Sequence, residues 1–198
     1  LQSIGAGGGV SGSTDTALTM GASNGSNGDA SDVSINSTGT ITTTGAQSIG
    51  IAAQSIGAGG GRAGTAAGAI TLGANGATGD AGSVNLNLAV EGGNGSIVTT
   101  GAQSPAFVLQ SVGGGGGLIF PSTVTSTEDL LLGGGTARAQ GSGGDISFTA
   151  GDNSTIITTG AGSSGLTYQS IGGGGGYTGS TSASVQLGGL YQGTSTGS

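Results

Sequence analysis

The chain has 198 residues, 50 of them Gly and only two Pro, with 6% charged and 3% aromatic residues. Nine acids stand against two bases, Arg62 and Arg138, with no Lys, His or Cys, so nucleic-acid binding and attraction to anionic lipid are excluded for want of cations, and disulfides and thiolate metal sites for want of thiols. No run of about 18 apolar residues is present to cross a bilayer as a helix, three Phe, three Tyr and no Trp are too few for a large globular core, and Gly does not recur at every third position as collagen requires.

The first element is Gln2-Ser3-Ile4, followed by Gly5-Ala6-Gly7-Gly8-Gly9. An apolar–x–apolar–Gly unit, Leu18-Thr19-Met20-Gly21, comes next, then Val33-Ser34-Ile35, then Ile41 ahead of Thr43-Thr44-Gly45. The whole series then returns. Gln54-Ser55-Ile56 precedes Gly57 to Gly61, followed by Ile70-Thr71-Leu72-Gly73, Val84-Asn85-Leu86-Asn87-Leu88, and Ile97 ahead of Thr99-Thr100-Gly101. In the third pass Gln110-Ser111-Val112 precedes Gly113 to Gly117. Its Leu130-Leu131-Leu132-Gly133 arrives four residues late, through an insertion around Phe120-Pro121-Ser122-Thr123, and Ile146-Ser147-Phe148 and Ile156 follow. A fourth pass starts at Gln169-Ser170-Ile171 with Gly172 to Gly176 and reaches Val185-Gln186-Leu187-Gly188. An apolar residue stands three positions before each later Gln: Ile51, Phe107 and Leu166.

The Gln positions 2, 54, 110 and 169 give periods of 52, 56 and 59, and a fixed period of this kind signals a repeat architecture. The units are short, alternate with period two, are rich in β-branched residues and are bounded by Gly, Asn and Asp, which is the pattern of strands. A Gly-rich chain also disfavours helix, by about 1 kcal/mol per interior Gly relative to Ala. Strands this short bury enough apolar surface only if repeats stack, turning each column of Ile, Val and Leu into an interior row. The predicted fold is therefore all-β: a repetitive parallel β-helix or β-solenoid with Gly-rich turns and poly-Gly segments. Residues 1–198 form one solenoid segment, with repeats at about 2–53, 54–109, 110–168 and a partial 169–198. Four or five strands in each repeat suggest two coils per repeat. The chain begins at Leu1, inside a repeat, and is expected to be excerpted from a longer polypeptide.

Asn24-Gly25, Asn27-Gly28, Asn75-Gly76 and Asn94-Gly95 are turn dipeptides. The runs Gly113 to Gly117 and Gly172 to Gly176 are either flexible links or extended backbone packed on a neighbouring coil; recurrence at one register favours packing. Ile56 is expected inside. The columns Thr43-Thr44, Thr99-Thr100 and Thr158-Thr159 are expected on an exposed β face, with Thr99 toward solvent, because Thr suits such positions; an ice-binding hydroxyl face is the rarer use of that pattern. The Gln column is expected to stack into an amide ladder.

Catalysis is not indicated. Without His, Cys or Lys the usual bases and activated nucleophiles are absent, and only Asp29 with Asp32 and Glu128 with Asp129 offer close carboxylates. Asp29 and Asp32 border turns, where capping of backbone N–H groups is the usual role, and Glu128-Asp129 falls in the insertion of the third repeat. Calcium is a weak alternative, since Gly141-Ser142-Gly143-Gly144-Asp145-Ile146 and Gly25-Ser26-Asn27-Gly28-Asp29 resemble fragments of a β-roll motif, but tandem nonapeptides are lacking. No catalytic, cofactor-binding or metal-binding residues are therefore assigned.

The string Gly45-Ala46-Gln47-Ser48-Ile49-Gly50-Ile51-Ala52-Ala53-Gln54-Ser55-Ile56-Gly57-Ala58-Gly59-Gly60-Gly61, with Gly28-Asp29 and Ile41-Thr42-Thr43-Thr44 before it, resembles the Gly-rich repeats of large bacterial autotransporter passenger domains. The resemblance covers nearly the whole chain. It departs at Leu118-Ile119-Phe120 in the longer third repeat and at Pro105, where a small residue is usual after Gln103-Ser104. It implies a right-handed parallel β-helix, exported from a Gram-negative cell and displayed by a C-terminal membrane barrel elsewhere in the polypeptide. The expected function is that of an extracellular, cell-surface structural or adhesive element. Its expected partners are neighbouring repeats, other copies of itself, and host or abiotic surfaces. The alternatives are a self-assembling extracellular filament and a passive scaffold for an enzymatic domain elsewhere.

Overall fold

Short alternating segments separated by glycine become strands, and their pairing is dictated by likeness. A computed structural model describes residues 1–12, 14–21, 28–64, 66–73, 75–90, 92–119, 129–133, 139–178 and 183–188. Asn24-Gly25, Asn27, the insertion around Phe120-Pro121-Ser122-Thr123, Glu128 and Arg138 lie outside these residues. No helix occurs among the described residues. The strands are β1 (Gln2–Ile4), β2 (Gly8–Ser11), β3 (Leu18–Met20), β4 (Val33–Ser37) and β5 (Gly39–Thr43), then β6 (Ile51–Ile56), β7 (Gly60–Ala63), β8 (Ile70–Leu72), β9 (Val84–Leu88) and β10 (Gly95–Thr99). The same series returns as β11 (Phe107–Val112), β12 (Gly116–Ile119), β13 (Leu130–Leu132), β14 (Ile146–Ala150) and β15 (Ser154–Thr158), and begins again with β16 (Leu166–Ile171), β17 (Gly175–Thr178) and β18 (Val185–Leu187).

All pairings are parallel and join equivalent strands of successive repeats, giving five sheets: β1-β6-β11-β16, β2-β7-β12-β17, β3-β8-β13-β18, β4-β9-β14 and β5-β10-β15. Gln2 sits beside Gln54, Gln54 beside Gln110 and Gln110 beside Gln169. The architecture is solenoid-like, with parallel strands stacked rung on rung. It also corrects the expected coil count. Each repeat forms one coil of five strands, not two coils, because the five segments of one repeat differ in length and pattern and only their counterparts in the next repeat continue each apolar row.

The sheet containing β6 and β11 is buried on both faces. On one, Ile51, Ala53, Phe107 and Leu109 pack with Val84, Leu86, Leu88 and Ile97 of β9 and β10. On the other, Val108 meets Leu118 of β12. A second cluster joins Ile70, Leu72, Leu130 and Leu132 to Ala63 and Ile119. Each fully buried aliphatic or aromatic side chain contributes about 1.5–3 kcal/mol, and those with no exposure, including Phe107, Ile56, Leu86, Ile97 and Leu130, lie in the middle two coils.

The glycine runs are packed. In β12, the Cβ that Ala would bring to Gly116 (φ 139°) falls on the carbonyl oxygen of Gly175, and one at Gly117 falls on that of Gly61. Backbones approach this closely only because no side chain intervenes.

Candidate functional site

Side chains in a parallel stack meet copies of themselves, so a polar residue placed inside must find a partner in its own coil or in the next one, or be left unsatisfied. The Gln column does so. Gln2 Nε2 donates to Gln54 Oε1 at 2.5 Å, Gln54 Nε2 to Gln110 Oε1 at 2.7 Å, and Gln110 Nε2 to Gln169 Oε1 at 2.6 Å. Gln54 and Gln110 are buried, and Gln110 also donates to the Gly117 carbonyl at 3.3 Å, tying the ladder to the glycine strand behind it. Gln110→Leu is expected to destabilise the chain by about 2–4 kcal/mol, because it strands the Gln54 amide N–H and the Gln169 carbonyl in a buried row. Gln2→Leu, which removes one bond at the open end of the ladder, is expected to cost about 1 kcal/mol. Urea denaturation of both variants checks the contrast.

The serine after each Gln carries a role the sequence does not reveal. Ser55 Oγ donates to the Ser31 carbonyl and accepts from Gly82 N, both at 2.9 Å, while Ser111 Oγ donates to the Gly82 carbonyl at 2.8 Å and accepts from Gly144 N at 2.6 Å. This column fastens the central sheet to the segments that lead into β9 and β14. A second serine relay runs along one corner: Ser48 N donates to Ser104 Oγ at 3.0 Å, and Ser104 N to Ser163 Oγ at 2.8 Å. The signal was the recurrence of Ser3, Ser55, Ser111 and Ser170 in one register; what could not be read was a partner 24 to 33 residues away.

Asp29 and Asp32 cap backbone amides, but in the following coil and not in their own turns. Asp29 Oδ1 accepts from Asp80 N at 2.9 Å and Asp32 Oδ1 from Ser83 N at 2.6 Å; Asp80 Oδ1 in turn accepts from Ser142 N at 2.7 Å. These carboxylates act as inter-coil clamps. Asp129 is exposed, and its carbonyl accepts from Ile70 N at 3.2 Å. The described residues hold no group of three or more His, Cys, Asp or Glu side chains arranged to hold a metal.

The threonine columns correct an expectation. Alternation sends one Thr of each pair inward. Thr99 is fully buried and its Oγ1 donates to the Ser104 carbonyl at 2.6 Å; Thr43 does the same to Ser48 at 2.8 Å. Thr44, Thr100 and Thr159 are exposed. The outer face of β5, β10 and β15 carries Thr40 and Thr42, Ser96 and Val98, and Thr155 and Ile157 in matched rows. Beside it, the outer face of β4, β9 and β14 carries Asn36 and Asn87, joined at 2.8 Å, and Asn85 and Ser147, joined at 2.6 Å. The strand residues named on both faces are uncharged and rich in hydroxyl and amide groups. A recess of about 290 Å³ at the corner between the faces is lined by Ala89, Val90, Gly151, Asp152 and Asn153.

No protein-family model, curated protein or solved structure matches this chain.

Proposed function

We propose that the chain is a non-catalytic structural and adhesive element of a bacterial cell surface, a stiff β-solenoid stalk within an exported passenger of the autotransporter kind. The observation that carries this reading is the bonding of coil to coil by polar side chains: the buried Gln ladder, the two serine columns and the exposed Asp clamps each join one repeat to the next. Such a stack resists bending and pulling apart, while its outer faces offer hydroxyl and amide groups with little charge to repel a solid surface. Adhesion then draws on many weak contacts repeated along the stack, the regime in which multivalency raises avidity without a tight single site.

The test is retention under flow. Beads coated with the chain are expected to be held on glass, polystyrene and extracellular-matrix films more strongly than beads coated with an unrelated acidic protein. Retention no better than that control on every surface would defeat the adhesive part of the reading. Retention is also expected to fall when the exposed Thr42 and Thr155 on the outer face of β5 and β15 are replaced together by Glu, with melting unchanged.

A further inference from the structure

Two Asn-Gly pairs lie among the described residues, and the fold treats them differently. Asn75 and Asn94 are both exposed, so access alone does not separate them. The peptide unit joining Asn94 to Gly95 is bonded at both ends to neighbouring coils: its carbonyl accepts from Gly39 N at 2.7 Å, and its N–H donates to the Asn153 carbonyl at 3.4 Å. Gly95 also opens β10 and is buried. Asn75-Gly76 sits in a turn fastened at its two shoulders, where Gly73 N donates to the Met20 carbonyl at 2.8 Å and the Ala77 carbonyl accepts from Gln140 N at 2.6 Å. Between these points the Gly76 N–H donates to no group among the described residues. Gly76 has φ 68°, a conformation glycine adopts freely, and it places no side chain beside its own nitrogen.

We propose that Asn75 is a site of spontaneous deamidation, at which the chain modifies itself in water without an enzyme. This goes beyond the adhesive reading and does not depend on it. The Gly76 nitrogen attacks Asn75 Cγ. The new C–N bond closes a succinimide ring, and the bond from Cγ to the side-chain nitrogen breaks. That nitrogen leaves as ammonia, carrying the proton that Gly76 N gives up. One water molecule then opens the ring. Attack at the carbonyl that was Cγ yields an aspartyl residue; attack at the main-chain carbonyl yields an isoaspartyl residue, with the main chain now running through the former side chain. Either product takes the formal net charge one unit below its −7.

Ring closure swings the peptide unit about the bond between the asparagine Cα and its carbonyl carbon. At Asn94 that swing breaks the bonds to both flanking coils, so the reaction waits on a local opening of the stack. At Asn75 the attacking nitrogen has no bond to give up. Asn36, Asn85 and Asn87 lie within β4 and β9 and are followed by Ser37, Leu86 and Leu88, whose side chains crowd the attacking nitrogen, and Asn153 precedes Ser154 of β15. The turn also accommodates the product, because the extra main-chain methylene of an isoaspartyl residue is taken up at the surface between two held points.

The folded 198-residue chain is incubated at mildly alkaline pH and sampled over time by tandem mass spectrometry. Asn75 is expected to lose its amide at least about tenfold faster than Asn94, the factor that follows from two hydrogen bonds that must break first, and to give isoaspartyl as well as aspartyl product. In urea, where the rungs are gone, the two sites are expected to react at similar rates. Asn75→Gln, whose longer side chain closes a less favourable ring, is expected to keep its amide and the parent's melting temperature. Asn94 reacting as fast as Asn75 in the folded chain, a difference that persists in urea, aspartyl product alone, or amide loss as fast in Asn75→Gln would each overturn the proposal.

Discussion

Gly116→Ala is expected to destabilise the chain by about 3 kcal/mol or more, combining a left-handed backbone conformation unsuited to an L side chain with overpacking against backbone that cannot rotate away. The new methyl falls on the Gly175 carbonyl oxygen, and Gly116 has φ 139°. On a domain of this size such a loss lowers Tm by roughly 6–12 °C. The paired control lies in the next run. Gly173 has φ 76°, and a Cβ there meets only the Ala139 carbonyl, at 3.3 Å. The equivalent position in the first two coils already carries alanine, Ala6 and Ala58, at φ 63° and 65°. Gly173→Ala is thus expected to change stability by no more than about 1 kcal/mol. Thermal melts of the two variants decide the matter: equal shifts, or none in either, would show that the glycine strands are not packed as described.

The second large effect is expected at Thr99. Thr99→Asp sets a carboxylate in a fully buried position, facing the Ser104 carbonyl oxygen that the Thr hydroxyl now serves as donor. An acceptor turned on an acceptor is expected to destabilise by about 3–5 kcal/mol or to abolish folding of the middle coils. Thr100→Asp, one residue on and exposed, is expected to stay within about 0.5 kcal/mol of the parent. Urea denaturation read by circular dichroism separates them; a benign Thr99→Asp beside a damaging Thr100→Asp would invert the assignment of inner and outer faces.

Thr99 also shows where the sequence stops being legible. The pair Thr99-Thr100 recurs in register, and recurrence says that a position matters without saying which way it points; the side-chain period of two sends adjacent residues to opposite faces, so the pair does not share one. The strands themselves were legible, because Ile, Val and Leu alternate within each unit and return at the same distance from each Gln. So was the amide ladder, since four glutamines in one register of a parallel stack fall beside one another, donor to acceptor. The coil count was not. Five short units can close into one wide coil or two narrow ones with the same apolar content, and the choice rests on whether unlike units pair within a repeat or like units pair across repeats. The serine columns failed for a related reason: their partners are backbone groups of Ser31, Gly82 and Gly144, and a backbone group leaves no mark on a sequence.

One coil per repeat has a consequence for reach. With partners 52 to 59 residues apart along the chain, each turn of more than fifty residues advances the axis by a single strand spacing, about 4.8 Å. A projection of about 100 Å then takes roughly 20 turns, some 1,100 residues, and the chain so consumed goes into girth. Flexural rigidity of a rod grows far faster with width than with anything else, so a thick, slowly rising column holds its tip where it was set while a thinner one of the same mass would reach farther and sway. The fold trades distance for steadiness.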